Sequence, residues 1–222
     1  MRKLIVAEHI SLDGVIQSPG APQEDTSDGF RLGGWTATYF DDLIGEALQD
    51  MFSKPFELLL GRHTYDIWAA YWPHARPGNP IADKFNSVTK HVATHRSDSL
   101  DWKNSQALKG DIVDAVRALK NEKGANLLTW GSGDMLQQLL ASGLVDDLWL
   151  LVYPVILGPG KRLFGDNAQA SSFTLAQSTT TRGGVSINRY VRSGEVRTGT
   201  VGEGRKKKPA RSRKAPRRPK RK

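Results

Sequence analysis

Short apolar segments of strand-like composition alternate with helical patterns over about the first 145 residues, and beyond that point strands follow one another directly. The strand-like segments lie at residues 4–10, 57–60, 91–94, 126–130, 148–156, 173–177 and 185–191. This order predicts an α/β fold in which a mostly parallel, twisted sheet carries helices on both faces. Gly183-Gly184 lies between the last two segments and indicates an antiparallel hairpin at the C-terminal end.

Three helical patterns lie between these strands. They are expected at residues 40–53, from the N-cap Asp111 as far as Gly124, and from Gly131-Ser132-Gly133 as far as Gly143. No internal repeat and no linker interrupts the pattern before about Gly194. We therefore expect one domain over residues 1–194 and a tail over residues 195–222.

The 222-residue chain contains no cysteine, which excludes disulfides, thiolate zinc sites, cysteine nucleophiles and iron–sulfur clusters. Its five histidines are scattered along the chain and cannot replace the missing thiolates, so no metal site is expected. Glu8 and His9 interrupt the first apolar stretch before a signal peptide is complete, and no segment approaches the roughly 20 apolar residues of a membrane span. These features predict a soluble cytoplasmic protein that does not bind membranes.

Charge is distributed unevenly along the chain. Residues 205–222 hold twelve Lys or Arg and no acid; without them, the 32 basic residues fall to 20 against 23 acidic ones, a net charge of about −3. Because the segment also lacks large apolar side chains, we expect a disordered, basic tail. Such a polycation would bind nucleic acid or another polyanion with little sequence preference, or else be a solvated appendage without consequence.

Several known motifs are incomplete or absent. Gly131-Ser132-Gly133 begins like a dinucleotide fingerprint, but the third glycine and the ribose-binding acid are missing. Gly158-Pro159-Gly160-Lys161-Arg162 lacks the glycine spacing and the hydroxyl of a Walker motif, and G-x-S-x-G does not occur. These observations argue against an ordinary Rossmann domain, a P-loop enzyme and a serine hydrolase.

Three of the predicted strands end in residues suited to phosphate. They are Gly61, Arg62 and Thr64, then Thr94, His95 and Arg96, and then Gly131, Ser132 and Gly133. Glycine lets a phosphate approach the backbone, arginine supplies charge, and the amides at a helix start bind anions. Each segment alone is equally compatible with a strand cap or a surface turn. If the strands are parallel, all three lie at one edge, where open α/β folds bind ligands, and two arginines there favour NADPH over NADH.

In their order along the chain, several segments resemble the dihydrofolate reductase-like superfamily. They are Ser11-Leu12-Asp13-Gly14, Leu60-Gly61-Arg62-His63-Thr64-Tyr65, Gly131-Ser132-Gly133, Leu144-Val145-Asp146-Asp147-Leu148, Pro154-Val155-Ile156-Leu157-Gly158 and Arg162-Leu163-Phe164. The resemblance covers about residues 2–192. It is closest to the branch with the reductase domain of the riboflavin-biosynthesis deaminase-reductase and its stand-alone relatives.

The resemblance implies a three-layer fold with about eight strands, NADPH across the C-terminal edge of the sheet, and often a homodimer. It implies that Gly61, Arg62 and Thr64 contact the phosphates of the cofactor. Thr94, His95 and Arg96 then lie near the adenosine phosphate, and Gly131, Ser132 and Gly133 at the pyrophosphate. Asp13 corresponds to the acid of the S-L-D-G turn at the mouth of the substrate pocket.

The chain also departs from its relatives. Asp41 and Asp42 are not followed by the aromatic residue that dihydrofolate reductases place one turn after their carboxylate. Val15 stands where the riboflavin reductases usually have a basic residue that suits a phosphorylated ribose. The identity of the substrate therefore stays open.

The implied activity is hydride transfer from NADPH to a C=N or C=O of a small, pterin- or aminopyrimidine-like heterocycle. Asp13 is the candidate that orients the substrate or relays its proton. Candidate walls for a planar ring are Trp35, Tyr65, Trp72 and Tyr153. In the alternative interpretation, Asp13 is a turn residue and the aromatic residues belong to the core.

Glu8 and His9 face opposite sides of the first strand, so only one of them can face the pocket, and the sequence assigns a role to neither. Two other functions stay open. The chain could be a non-catalytic nucleotide-binding protein of the same fold that acts at nucleic acid through its basic tail, or a structural dimer without turnover.

Overall fold

The computed structural model describes residues 1–96 and 100–201. Its strands are β1 (Leu4–Ser11), β2 (Phe56–Gly61), β3 (Lys90–Ala93), β4 (Ser105–Leu108), β5 (Asn126–Trp130), β6 (Asp147–Tyr153), β7 (Ser172–Thr180) and β8 (Ser186–Gly194). Its α-helices are α1 (Asp42–Met51), α2 (Arg62–Tyr71), α3 (Pro80–Ser87), α4 (Ile112–Asn121) and α5 (Gly133–Ala141).

The described strands form one eight-stranded sheet in the order β4-β3-β2-β5-β1-β6-β8-β7. The first six are parallel to one another, whereas β8 runs antiparallel to both β6 and β7. The mostly parallel sheet and its C-terminal hairpin are therefore confirmed. Because the six strands are parallel, Ser11, Gly61, Ala93, Trp130 and Tyr153 all end at the same edge of the sheet.

Side chains alternate between the two faces of the sheet, and each face is covered by an apolar layer. One face packs against α4 and α5, through residues such as Val6, Leu59 and Leu127. The other packs against α1, α2 and α3, through residues such as Leu58 and Leu60. Leu59 of β2 packs on one face of the sheet, and Leu58 and Leu60 pack on the other. Strand β2 is therefore buried on both sides, which explains why its apolar residues are consecutive.

Three of the described elements were not predicted from the sequence. Strand β4 has only four residues and an edge position, so it shows little periodicity. Helices α2 and α3 lie between two predicted strands, and α2 begins directly after the last residue of β2. Strand β6 ends at Tyr153 rather than continuing to residue 156, because Pro154 has no N–H for the ladder.

The division into a domain over residues 1–194 and a tail over 195–222 stays a prediction, although β8 does end at Gly194. The basic segment 205–222 lies outside the described residues. Within residues 1–96 and 100–201, no helix has both the length and the apolar composition that a membrane crossing requires.

Candidate functional site

The loops that follow β2 and β5 are held together by two hydrogen bonds. The backbone N–H of Gly61 donates to Oγ of Ser132 at 2.9 Å, and the N–H of Ser132 donates to Oγ1 of Thr64 at 2.9 Å. A Cβ on Gly61 would lie 3.2 Å from Cβ of Ser132, and one on Gly131 would lie 3.2 Å from Oγ1 of Thr64. Gly131 also has a φ of +71°, which favours glycine. Two glycines are thus required for the loops to approach this closely.

Two helices begin side by side at this contact without a side-chain cap. Gly61 precedes α2 and has no side chain that could cap it. Ser132 precedes α5, but its hydroxyl oxygen accepts a hydrogen bond from the N–H of Gly61 rather than from the first turn of α5. By contrast, Asp41, Asn79 and Asp111 accept hydrogen bonds from the first turns of α1, α3 and α4. The N–H groups and the positive dipole ends of α2 and α5 are therefore directed at one place, as an anion site requires.

Two arginines from neighbouring strand ends share one carboxylate beside these helix starts. Nε of Arg62 donates to Asp66 at 2.7 Å, and Nη2 of Arg96 donates to the other oxygen of Asp66 at 2.5 Å. Burial raises the pKa of Asp66, but the bonds from the two guanidinium groups outweigh it and lower that pKa overall. We call Gly61, Arg62, Thr64, Arg96, Gly131 and Ser132 the anion cradle.

The other predicted cofactor residues border this cradle. Oγ1 of Thr94 accepts from the N–H of Arg96 at 3.1 Å, so this hydroxyl closes the turn after β3. His95 is exposed in the same turn. Gly133 begins α5. The structure thus brings the three predicted strand ends together at one edge; the binding of a cofactor by these residues stays a prediction.

A buried acid lies beneath the glycine turn. Glu8 of β1 is only 1 % exposed, and its Oε1 has no hydrogen-bond partner among the described residues. Burial raises the pKa of Glu8 well above its usual value, and the nearby backbone N–H of Gly131 offsets this only in part. Burial therefore favours the protonated, uncharged form of Glu8 over the form that would place a negative charge under the cradle.

Aromatic side chains line the other side of β1, at the ends of β1, β5 and β6. Tyr153 forms the floor: it is 2 % exposed and contacts Trp35, Tyr39 and His9 edge-on at centroid distances of 5.2, 5.7 and 5.5 Å. The ring of His9 lies 5.0 Å from that of Trp130. We call His9, Trp35, Tyr39, Trp130 and Tyr153 the aromatic cup. His9, Tyr39 and Trp130 are half-buried, so the cup has an accessible rim.

Of the four predicted ring walls, Trp35 and Tyr153 lie together in this cup, but Tyr65 and Trp72 do not. Tyr65 is 2 % exposed, and its hydroxyl accepts from the N–H of Trp102 at 2.9 Å. Trp72 packs edge-on against Phe85. Both pack in the apolar cluster between the sheet and the helices α2 and α3, apart from Trp35 and Tyr153. A role as a ring wall stays a prediction for all four residues.

Asp13 joins the turn after β1 to the loop after β6. Its carboxylate accepts from the Ser11 hydroxyl at 2.6 Å and from the N–H groups of Leu157 and Gly158 at 3.1 and 2.8 Å. These bonds, that of Ser11 foremost, lower the pKa of Asp13 to about 2. Arg162 lies 3.8 Å away and also bonds the Asp13 carbonyl. These contacts support a positioning role, and a proton relay by Asp13 stays a prediction.

Sequence reasoning missed His9, Tyr39 and Trp130 in the cup and Glu8 beneath the cradle. A signal was present for two of them, because Glu8 and His9 are polar residues inside an apolar strand of a buried sheet. Burial of such groups is costly without a partner or a function.

The family model described as the RibD C-terminal domain matches residues 2–187. The chain belongs to the RibD C-terminal domain family. Among curated proteins it is 28% identical over 143 residues to the uncharacterized protein YyaP of Bacillus subtilis (strain 168), covering 61% of this chain and 73% of that protein. It is 25% identical over 166 residues to YwjB, another uncharacterized protein of that strain, covering 73% of this chain and 83% of YwjB.

Solved structures of the same fold are similar at lower identity. A putative riboflavin biosynthesis protein from Shewanella sp. PV-4 has a TM-score of 0.58 and 23% identity, covering 86% of this chain and 99% of that chain. Dihydrofolate reductase from Enterococcus faecalis, complexed with NADP(H), has a TM-score of 0.57, 13% identity, and coverages of 86% and 96%. A pyrimidine reductase-like protein from Corynebacterium diphtheriae has a TM-score of 0.54, 14% identity, and coverages of 87% and 93%. The dihydrofolate reductase-like fold is confirmed.

Proposed function

We propose that this protein is an NADPH-dependent reductase of a small, planar, heterocyclic substrate. The observation that carries the proposal is the convergence of two uncapped helix N-termini and two arginines at one edge of the sheet. Membership of the RibD C-terminal domain family, and a fold shared with a dihydrofolate reductase, support a reductase.

The charge of the cradle supports NADPH over NADH. Two guanidinium groups, those of Arg62 and Arg96, lie beside the helix starts, and Arg96 is exposed enough, at 56% of its side chain, to turn toward a ligand. A guanidinium group binds phosphate through two parallel hydrogen bonds. The additional phosphate of NADPH is a group that such a guanidinium would bind.

The residues of this chain would hold and orient the reactants. Gly61 and Gly131 let the two loops approach closely, which places the N-termini of α2 and α5 side by side, where their N–H groups would bind a pyrophosphate. Burial of Glu8 disfavours the charged form that would oppose this anion. The aromatic cup would hold the flat face of the substrate and exclude water from it. When bound, NADPH supplies the hydride.

The proposal is tested by titrating the protein with NADPH and with NADH, and by measuring tryptophan fluorescence and thermal stability. We expect tighter binding of NADPH, a loss of about 10- to 100-fold in Arg62→Ala, and no binding in Gly131→Trp. Arg117→Ala is the matched control, since Arg117 is an exposed arginine of α4 paired with Asp114. If neither nucleotide changes either signal in the wild type, the proposal is wrong.

Turnover is tested next, by following NADPH oxidation with imines, quinones, pteridines and aminopyrimidine ribosides. NADPH binding without oxidation of any of these compounds favours the non-catalytic nucleotide-binding alternative. A homodimer, which the family resemblance implies, stays a prediction that sedimentation analysis checks.

The composition of residues 205–222 favours a second activity, the binding of polyanions. We expect the full chain to be retained on heparin at a salt concentration that releases a chain ending at residue 204. Equal retention of both chains contradicts this activity. Because the tail and the cradle are tested by different measurements, either result stands without the other.

A further inference from the structure

His9 in the aromatic cup has a second ring nitrogen besides the one that contacts Tyr153. Nδ1 of His9 lies 2.9 Å from the hydroxyl of Tyr153, whereas Nε2 of His9 has no hydrogen-bond partner among the described residues. The His9 ring is only half-buried, next to Trp130 on the rim. Nε2 is therefore the atom of His9 that is left to bond a ligand.

The contact with Tyr153 determines which nitrogen of His9 carries the proton. Burial raises the pKa of Tyr153, so its phenol is neutral and its O–H needs an acceptor. Among the described residues, Nδ1 of His9 is the acceptor within hydrogen-bond distance of this O–H. Burial also lowers the pKa of His9 to about 4, so the imidazole is neutral. With Nδ1 accepting from the phenol, the single ring proton lies on Nε2, and His9 presents an N–H donor.

The chemistry of the cup limits what this donor can bind. At neutral pH none of its five members carries a charge, in contrast to the anion cradle on the neighbouring strand ends. The edges and faces of Trp130, Tyr39 and Trp35 favour a flat, neutral ring. An N–H donor at the wall of such a cup requires an acceptor on that ring, and a ring carbonyl oxygen is the simplest one.

We propose that the Nε2–H group of His9 recognises a ring carbonyl of a planar, uncharged heterocycle bound in the aromatic cup. This inference rests on the proposed reductase function, because it names the class of compound that the reductase would accept. Tyr153 is the positioning residue, since it holds His9 in the tautomer that donates.

The first experiment measures the tautomer without any ligand, by ¹⁵N NMR of histidine-labelled protein, with His9→Phe used to assign the His9 signals. We expect the neutral Nε2–H tautomer of His9 to predominate at pH 7. In Tyr153→Phe we expect a mixture of the Nε2–H and Nδ1–H tautomers. The Nδ1–H form or a protonated ring at pH 7 overturns the inference. A purely structural role for Tyr153 would not move this signal.

The second experiment compares two flat bicyclic probes, quinazolin-4-one and quinazoline, which differ in the ring carbonyl and its adjacent N–H. Binding is followed by tryptophan fluorescence. We expect the wild type to prefer quinazolin-4-one by about tenfold, His9→Phe to lose that preference, and His9→Gln to keep most of it through its own amide N–H.

The outcomes separate this inference from the reductase proposal. The affinity for NADPH should change by less than about twofold in His9→Phe, because the contacts of His9 among the described residues are with Trp130 and Tyr153, neither of which belongs to the cradle. If His9→Phe keeps the preference for quinazolin-4-one, or if the wild type binds neither probe, the inference is overturned even when NADPH binds. If NADPH fails to bind while the probe preference depends on His9, the reductase proposal fails and the recognition of a ring carbonyl stands.

Discussion

The anion cradle and the aromatic cup lie along the same edge of one sheet, but they are built in different ways. The cradle uses short runs of consecutive residues, such as Gly61 with Arg62, and its parts are joined by hydrogen bonds and charge. The cup draws its five rings from four separate segments of the chain, between His9 and Tyr153, and joins them through ring contacts. One region suits phosphate and the other an uncharged ring.

The difference teaches where each kind of specificity resides. Backbone N–H groups and glycines recognise a feature common to many nucleotides, so the cradle needs little beyond a strand end and a helix start. The cup recognises the shape and the hydrogen-bonding pattern of one ring, which depends on side chains that distant segments contribute. Changes in one region should therefore leave the other largely intact, and the following predictions test this independence.

The largest effect is expected for Gly131→Val. A β-branched side chain is strained at a φ of +71°, and its Cβ would lie 3.2 Å from Oγ1 of Thr64. We expect NADPH affinity to fall by about 100-fold or more, while quinazolin-4-one affinity changes by less than about twofold. Gly78→Val is the control, because Gly78 has a φ of +79° with open space around it. A parallel loss of both ligands would show that the two regions are one unit.

Asp13→Asn should act mainly on stability. The folded-state pKa of about 2 lies below the usual 3.8, so the ionised carboxylate stabilises the fold above about pH 4 and this stabilisation is lost as the pH falls toward 2. We expect the variant to be less stable by about 1–2 kcal/mol at pH 7, with the difference vanishing near pH 2. Denaturant unfolding at several pH values checks this, and a difference independent of pH contradicts it.

Tyr153→Phe should cost about 1 kcal/mol of stability and weaken quinazolin-4-one binding several-fold, because His9 loses the partner that holds its tautomer. NADPH affinity should not change. Tyr65→Phe is the matched control: it removes a buried hydroxyl that serves the N–H of Trp102 in the core, so it should lower stability without altering the His9 tautomer. If both variants weaken the probe equally, the effect is one of general stability.

The smallest effect is expected for Arg96→Ala. Its side chain is 56% exposed and shares Asp66 with Arg62, so solvent and salt screen its charge. We expect NADPH affinity to fall about fivefold at low salt and less at high salt, with little change for NADH. Isothermal titration at two salt concentrations measures this. An equal loss for both nucleotides would place Arg96 away from the additional phosphate.

Much of the cradle could be predicted because its chemistry is local. Gly61, Arg62 and Thr64 follow a strand directly, and parallel strands necessarily end at one edge. Asp111 was likewise recognisable as an N-cap, and it accepts from the N–H groups of Val113 and Asp114. The role of Asp66 in joining two arginines was not predictable, because it depends on how α2 packs beside β3.

The cup was predicted only in part. Trp35 and Tyr153 were candidates because aromatic residues can hold a ring, but the same argument selected Tyr65 and Trp72, which lie in the core. Composition does not distinguish an aromatic residue that packs under a helix from one that lines an opening. His9 was left without a role because the choice between the two faces of β1 needs the positions of the covering helices.

By itself the sequence determined the alternation of strands and helices apart from β4, α2 and α3, the parallel sheet with its terminal hairpin, and the phosphate-suited loops. Each of these follows from periodicity and backbone chemistry within a few consecutive residues. The tertiary structure alone decided that Glu8 lies beneath the cradle while His9 faces the cup, and that His9 meets Tyr153 across 144 residues of chain. Successive side chains of a strand point to opposite faces of the sheet, so Glu8 and His9 must lie on different faces. Only the packing of helices on each face decides what surrounds each of them.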